Sequence, residues 1–339
     1  MFRFNYHHLR LPRSCICFAI LLLIGSIILC ITIIKSPCRF VNLTRCCCIQ
    51  STRQPSSQFL FPRNNISDNT NFILNSDHCR LRAPVWIVIG VISRASNFHQ
   101  RHAIRHTWGS VVRRTPTRNV CLIFLVGLCH PSVQVLLEAE HKQYGDVVQV
   151  NADDIYQNLV WKSVALLKWT AEFCTSFSFL LKIDDDVFVN LEQLFNTLDM
   201  FESVPRFIMG QINRGSQPKR RSKSKYYVSR NDYPDDFYPT YVAGAAYVIS
   251  GLLTRDLLEV IPSSPLVHVE DIFINGICAQ RVGALLVGDC GFSTRHVKLE
   301  HILWYPDRLT FHGYTPSGMK ELWRQTRPVA SNYQQRQRS

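Results

Sequence analysis

Phe177-Ser-Phe-Leu-Leu-Lys-Ile-Asp-Asp-Asp186 is the stretch on which the fold class of this chain turns. Phe177–Ile183 is short, aromatic-rich and bounded by polar residues, as a buried strand requires. The carboxylates that follow, Asp184, Asp185 and Asp186, repel one another and are seldom kept adjacent unless a cation neutralises them. In an open α/β sheet ligands gather at the carboxyl ends of the strands, where the triplet would stand. Mg²⁺ and Mn²⁺ prefer oxygen ligands, and Mg²⁺ commonly combines one or two carboxylates with substrate phosphates. A metal-bridged phosphate is the functional expectation. A solvated acidic turn, or the N-terminus of the helical stretch Asn190–Phe195, would accommodate the same residues without one.

Around this strand, apolar runs alternate with longer helical patterns. Val85–Ser93, Val120–Gly127, Val147–Val150 and Phe207–Ile212 read as further strands, and His99–Trp108, Pro131–Tyr144 and Leu159–Cys174 as helices. The last carries Val160, Val164, Leu167 and Ala171 at helical spacing. Such alternation predicts an α/β domain with a mostly parallel central sheet covered on both faces. Residues 81–339 are enough for one large domain with a sizeable core.

The N-terminus has a different character. Cys15 to Ile34 runs without a charge, flanked by Arg13 and Lys35, and as a helix it would cross one hydrocarbon core. It exceeds the usual apolar core of a signal peptide and is followed by no evident cleavage site, so a retained anchor is expected. Basic residues lie on both sides, so charge alone leaves its orientation open. The sequons at Asn42 and Asn65 both follow the span and carry glycans only on the lumenal side. The expected layout is therefore a cytoplasmic tail 1–14, an anchor 15–34, a stem 35–80 rich in Ser, Asn, Arg, Gln and Pro, and a globular domain 81–339.

The chain holds 13 cysteines. Cys38, Cys46, Cys47 and Cys48 fall in the stem, where they offer a covalent link between two copies. Cys79, Cys121, Cys129, Cys174, Cys278 and Cys290 lie in or beside the globular part without metal-binding spacing, and at least two bridges are expected among them, with Cys278 and Cys290 a plausible local pair. Free buried thiols are the alternative. The net charge is +13, but residues 1–80 hold nine Lys+Arg against two acids and the remainder 29 against 23. Much of the basicity thus flanks the membrane segment, and nucleic acid is not an expected partner. The run Lys219-Arg-Arg-Ser-Lys-Ser-Lys225 reads as a solvated loop, or as a contact to an anionic acceptor or nucleotide.

Four more clusters carry candidate chemistry. Arg101 and Arg105, one helical turn apart, suit a diphosphate, although ordinary surface arginines share that spacing. Phe237–Ser250 combines Tyr238, Tyr241 and Gly244 in a pattern that serves a sugar pocket or a core strand. Glu270-Asp271 opens an apolar helical stretch, either as an acidic pair at a helix N-terminus or as a source of a general base. His312 sits among apolar residues, where a histidine is often structural.

Taken together, RHAIRHTWG, DIYQNLVWK, FLLKIDDDVFVN, FYPTYVAGAAYVIS, EDIFINGIC and FHGYTPSGMKELW, in this order across about residues 84–323, resemble the β-1,3-galactosyltransferase family, which includes β-1,3-N-acetylglucosaminyl- and N-acetylgalactosaminyltransferases. The resemblance implies a nucleotide-sugar-binding fold of GT-A type, a Golgi type II membrane protein with a lumenal catalytic domain, a UDP-sugar donor, Mn²⁺ or Mg²⁺, and inversion at the anomeric carbon. It assigns Asp184, Asp186 and His312 to the metal and Asp184 and Asp185 to the nucleotide, while Arg101 and Arg105 stay candidates for the nucleotide on their spacing. Asp271 becomes the base, and Tyr238, Tyr241, Gly244 and Glu270 line the donor or acceptor pocket. The donor sugar is expected to be galactose, with N-acetylglucosamine and N-acetylgalactosamine as alternatives, and the acceptor a glycan on protein or lipid. Ala245-Ala246 departs from a more usual glycine-containing pair, and the basic run is longer than the pattern leads one to expect. A non-catalytic glycan binder or chaperone on the same scaffold could dispense with the triplet and the base, and this chain keeps both.

Overall fold

The structure, a computed structural model, describes residues 48–51, 71–113, 118–174 and 176–336. The expected anchor at 15–34, the sequons at Asn42 and Asn65 and most stem cysteines lie outside these residues. Among the described residues no helix is long and apolar enough to cross a membrane.

A nine-stranded sheet organises the chain. In sequence order its strands are β1 (Cys48–Ser51), β2 (Phe72–Leu74), β3 (Val85–Ile92), β4 (Val120–Leu128), β5 (Val147–Asp153), β6 (Phe177–Asp184), β8 (Phe207–Asn213), β9 (Tyr241–Ser250) and β10 (Leu285–Gly288), while β7 (Phe188–Val189) pairs with β11 (Thr310–Phe311) in a separate ribbon. The spatial order is β1-β10-β8-β9-β6-β3-β4-β5-β2. β3, β4, β5, β6, β8 and β10 point one way, and β1, β2 and β9 run against them. The sheet is therefore parallel at its heart but mixed overall. Two edge strands, β1 and β2, come from the segment assigned to the stem. They are too short for their alternation to register as strands in the sequence.

The chain leaves β3 for β4 on one side and later returns with β6 on the other, so strand order reverses at β3. The crevice beyond the carboxyl ends of β3 and β6 is the place such a sheet offers a ligand.

Six helices matter here: α1 (Phe98–His106), α2 (Pro131–Tyr144), α3 (Leu159–Phe173), α4 (Leu191–Asp199), α5 (Gly251–Val260) and α6 (Pro316–Arg336). Two of them have their ends marked by the chain itself. α2 has Pro131 at its first position and ends on Gly145 in the left-handed region, and Asn190 caps α4 by accepting from the Gln193 N–H. The strands are apolar on both faces because both faces are covered. Ile87, Ile89 and Val91 pack with Ala103 and Ile104 of α1, Leu194 and Leu198 of α4 and Met319 and Leu322 of α6. Val85, Val88 and Ile92 pack on the opposite face with Val164 and Leu167 of α3, Leu253 and Leu257 of α5 and Phe273 and Ile274. α3 lies so close that a Cβ on Gly90 would stand 2.4 Å from Leu166 Cδ2.

The cysteine expectation needs correction. One disulfide, Cys79–Cys174, forms among the described residues. Cys121 and Cys278 remain buried thiols and Cys129 a partly buried one, so the expected Cys278–Cys290 pair is absent. Burial in the core pushes the Cys121 and Cys278 thiols up to about 12, which makes them behave as small hydrophobes.

Candidate active site

The acidic triplet sits where β6 ends, and the short ribbon brings a histidine to it. β7 begins two residues after Asp186, and β11 ends one residue before His312. Their register sets Thr310 opposite Val189 and Phe311 opposite Phe188. Two further backbone bonds clamp the ribbon: Asn190 N–H donates to Leu309 O at 2.9 Å and Tyr314 N–H to Asp186 O at 3.0 Å. As a result Asp184, Asp186 and His312 each present a ligand atom within 4.8 Å of the others.

This trio suits a divalent ion on the chemistry of its donors. His312 Nδ1 lies 3.1 Å from the Thr294 carbonyl oxygen. A carbonyl can only accept, so Nδ1 carries a proton, and in the neutral ring the Nε2 lone pair faces Asp186 Oδ2 at 3.5 Å. Two lone-pair donors face one another there, an arrangement that a cation resolves. Asp186 Oδ1 is also buried without a hydrogen-bond partner among the described residues. Burial raises the Asp186 pKa, a charge on the His312 ring would oppose the shift when that ring is protonated, and Asp184 and Asp185 add to it.

Asp185 turns elsewhere. Its Oδ2 accepts from Ser93 Oγ at 2.7 Å and Asn97 Nδ2 at 2.8 Å, in the loop between β3 and α1. Burial raises its pKa in spite of these two bonds. The middle carboxylate therefore fastens the loop on one lip of the crevice and does not join the ligand trio. Lys162 and Asp154 hold the same loop: Lys162 Nζ donates to Ser93 O and to Asp154 Oδ1, both at 2.7 Å, and Asp154 Oδ2 accepts from Ala95 N–H at 2.8 Å.

The diphosphate role for Arg101 and Arg105 is corrected by their surroundings. Both lie on the buried face of α1. Arg101 is 0% exposed, bonded to Glu140 through Nε and Nη2, to Ser93 Oγ and Arg94 O through Nη1 and to Ala95 O through Nη2. Arg105 bridges Glu140 and Asp146 at 2.6 Å each. Every arm of these forks is used inside the protein. The spacing that suggested an anion clamp serves a buried ion network, and Arg101 acts by shaping the same loop that Asp185 holds.

On the other side of the triplet stands a second acidic pair. Asp271 precedes a π-helical segment, Ile272–Cys278, and accepts from Ile272 N–H at 3.0 Å through Oδ1 and from Gly244 N–H of β9 at 2.9 Å through Oδ2. Burial, reinforced by the charge of Glu270, raises the Asp271 carboxyl to about 7. Gly244 is required for this approach, because a Cβ there would stand 3.0 Å from Glu270 Oε2 and 3.1 Å from Asp271 Cβ. Glu270 points inward and accepts from the Tyr247 hydroxyl at 2.5 Å.

Lys182 joins the two acidic groups, and the sequence reading passed it over. Its ammonium, on a side chain 2% exposed, donates to Asp184 Oδ1 at 2.9 Å and to Gly244 O at 2.7 Å, and lies 3.5 Å from Glu270 Oε2. Burial would lower its pKa, but Asp184 and Glu270 more than offset that, so the lysine stays charged. A lysine two residues before Asp184 in a buried strand was the available signal, since alternate side chains share a face. Tyr156, after β5, meets Tyr226 edge to face. Burial raises the Tyr156 hydroxyl pKa, and Asp271, Glu270 and Asp184 contribute to the shift.

Of the other pocket candidates, Tyr238 is buried and its hydroxyl has no hydrogen-bond partner among the described residues, while Tyr241 is half-buried. Both belong to the small core, with Val267, Val269 and Ile272, that supports the Asp271 segment. The site thus combines a trio of metal-competent donors, a carboxyl poised near neutrality and a buried cation between them, at the switch point of an α/β sheet.

Residues 99–287 match the family model described as Galactosyltransferase. The chain is 32% identical over 254 residues to the acetylgalactosaminyl-O-glycosyl-glycoprotein beta-1,3-N-acetylglucosaminyltransferase of Mus musculus, an alignment covering 71% of this chain and 64% of that protein. It is 32% identical to lactosylceramide 1,3-N-acetyl-beta-D-glucosaminyltransferase A of Xenopus laevis over 75% of this chain and 69% of the relative. It is 31% identical to beta-1,3-galactosyltransferase 5 of Gorilla gorilla gorilla over 64% and 73%. The chain therefore spans about two thirds of the length of these curated relatives. The family match takes in the triplet, Lys182, Gly244 and the Glu270-Asp271 pair and covers more than half of the sequence. The chain belongs to the Galactosyltransferase family of glycosyltransferases.

Proposed function

We propose that this protein is an inverting β-1,3-glycosyltransferase of GT-A type that moves galactose or N-acetylglucosamine from a UDP-sugar to a hydroxyl of an acceptor glycan. The names of the relatives carry both sugars. The observation that carries the reading is Asp271, a buried carboxyl titrating near 7, set across Lys182 from Asp184 of the donor trio.

Asp184, Asp186 and His312 would hold Mn²⁺ or Mg²⁺, whose positive charge offsets the charge that builds on a departing diphosphate. Asp271 accepts the proton of the acceptor hydroxyl as that oxygen forms its bond to the anomeric carbon and the bond from that carbon to the UDP oxygen breaks. Attack from the face opposite the leaving group inverts the configuration in one displacement. The backbone N–H groups of Gly244 and Ile272 hold the carboxylate in place throughout, and Lys182 keeps the surrounding acids from repelling the nucleotide. On this reading residues 15–34 anchor the protein in the Golgi membrane with the domain in the lumen, and sequons Asn42 and Asn65 carry glycans.

The test is transfer by the full chain in detergent, with UDP-galactose, UDP-N-acetylglucosamine and UDP-N-acetylgalactosamine against a panel of aryl glycosides, with Mn²⁺ or with chelator. A β-1,3-linked product that disappears with chelator and with Asp186→Ala is expected. Absence of transfer from every donor by a folded protein would reject the reading in favour of a glycan binder.

A further inference from the structure

The loop between β8 and β9 contains the basic run, and its Val228, Tyr233 and Tyr238 pack with Val267, Val269 and Ile272 beside Asp271. Of its cations Arg220 is the built-in one. It donates to the carbonyls of Val228, Ser229, Tyr233 and Asp235 at 2.7–3.0 Å and so staples the loop into a fixed shape. That shape leaves Arg221, Lys223 and Lys225 exposed. Lys225 Nζ lies 5.4 Å from the Tyr156 ring centre and 4.7 Å from that of Tyr226, and the two rings meet edge to face at 5.7 Å. Tyr156 follows by two residues Asp154, which bonds Lys162 and Ala95 of the same loop that Asp185 holds, so this corner joins the basic loop to the lip of the acidic centre. The Tyr238 hydroxyl, at the far end of the loop, is buried without a hydrogen-bond partner among the described residues, and its ring belongs with Ile272 to the cluster beside Asp271.

Aromatic faces beside a hydroxyl to be attacked are what a sugar needs in order to stack. Exposed cations beside those faces attract negative charge, and their field reaches about one Debye length, ~8 Å at physiological salt. Some of the surrounding acids are already engaged: Asp236 pairs with Arg230 and Asp232 accepts from Ser229. The positive charge of Arg221, Lys223 and Lys225 therefore faces solvent at the rim of the site.

Resting on the transferase reading above, we infer that this loop forms the acceptor side of the site and that Arg221, Lys223 and Lys225 select an acceptor glycan bearing a negative charge, a sulfate ester or a carboxylate.

The test uses the full chain in detergent and one aryl glycoside in three forms: neutral, 6-O-sulfated and with its primary alcohol oxidised to a carboxylate. The comparison protein carries Arg221→Gln, Lys223→Gln and Lys225→Gln together, all at exposed positions, with an unchanged melting temperature as evidence that it folds. The wild type should prefer the charged forms, less so as salt is raised. In the triple variant that preference should fall about tenfold, the sum of three weak exposed charge contacts. Sulfate and carboxylate arms report separately which group is favoured. Binding of the three glycosides to the immobilised full chain gives the same contrast without turnover. A chain that transfers to nothing but retains the binding contrast would reject the transferase reading and keep the anionic-glycan site. Equal affinity for neutral and charged forms, or a triple variant whose only change is a raised KM for the UDP-sugar, would overturn the inference.

Discussion

Replacing the Asp271 carboxyl by an amide should change stability in opposite senses at low and high pH. Its pKa stands near 7 in the folded protein, against about 3.9 for an exposed aspartate. A raised value means that the folded state binds the proton more tightly than the unfolded one. The associated stability is complete below the unfolded pKa and is lost as pH rises through 7. Between pH 5 and pH 8.5 the wild type should therefore lose about 3 kcal/mol from this group alone. Asp271→Asn has no such titration. It carries a fixed penalty, because the two carboxylate oxygens accept from Gly244 and Ile272 and an amide can accept through only one, leaving an N–H unpaired at a cost of about 1–3 kcal/mol. The variant is thus expected to be less stable than wild type at pH 5 and equal or more stable at pH 8.5. Denaturant unfolding of the full chain in detergent with chelator, at pH 5, 7 and 8.5, measures the difference directly. A stability difference that stays constant across this range would show that Asp271 titrates as an ordinary carboxylate and would remove the basis for calling it the base. Transfer should be lost by about 10²–10⁴-fold in the variant, and wild-type kcat/KM should rise as pH increases through 7.

Gly244→Ala should leave the fold intact but push a methyl against Glu270 and Asp271, lowering turnover by at least about tenfold for a displacement below 1 Å, with UDP-sugar binding read by calorimetry as the control. Arg105→Met removes one partner of the buried pairs to Glu140 and Asp146 and should cost about 3–5 kcal/mol, measured by denaturant midpoint. A loss below 1 kcal/mol would contradict the network. Cys79→Ser breaks the disulfide to Cys174 and should lower stability by about 2–4 kcal/mol, and thiol labelling of the unfolded, unreduced wild type should include Cys121, Cys129 and Cys278 among the reactive groups.

The parts of this fold that sequence made legible are those with a long regular period. β3, β4 and β6 are continuous apolar runs, α2 has its proline start and glycine stop, and the triplet follows its strand at the end where ligands bind. The antiparallel sense of β9 was not legible, because a strand reads the same in either direction and its Gly-Ala-Ala segment served a pocket equally well. Two-residue strands such as β7 and β11 lie below any periodic signal, so the approach of His312 to Asp186 rested on resemblance, and the structure supplies its cause in the ribbon register. Arg101 and Arg105 illustrate a different limit. Spacing places two side chains on one helix face, but only packing tells whether that face meets solvent or Glu140 and Asp146. Lys182 was open to reading and was passed over: a charge inside a buried strand must have partners, and Asp184 lay two residues away.

The position of β9 in the sheet also sets a timetable for synthesis. It fills the gap between β6 and β8, pairing with both, yet it emerges from the ribosome after either neighbour. Until residue 250 has left the exit tunnel, β6 and β8 each present an unpaired edge, and the apolar faces that β9 would cover stay open to other chains. A nascent chain arrested just before β9 should therefore bind chaperones and aggregate on release, whereas arrest once α6 has emerged and covered its face of the sheet should give a protease-resistant domain. Because β9 also carries the Gly244 amide that holds Asp271, the base is seated in the same event that closes the sheet.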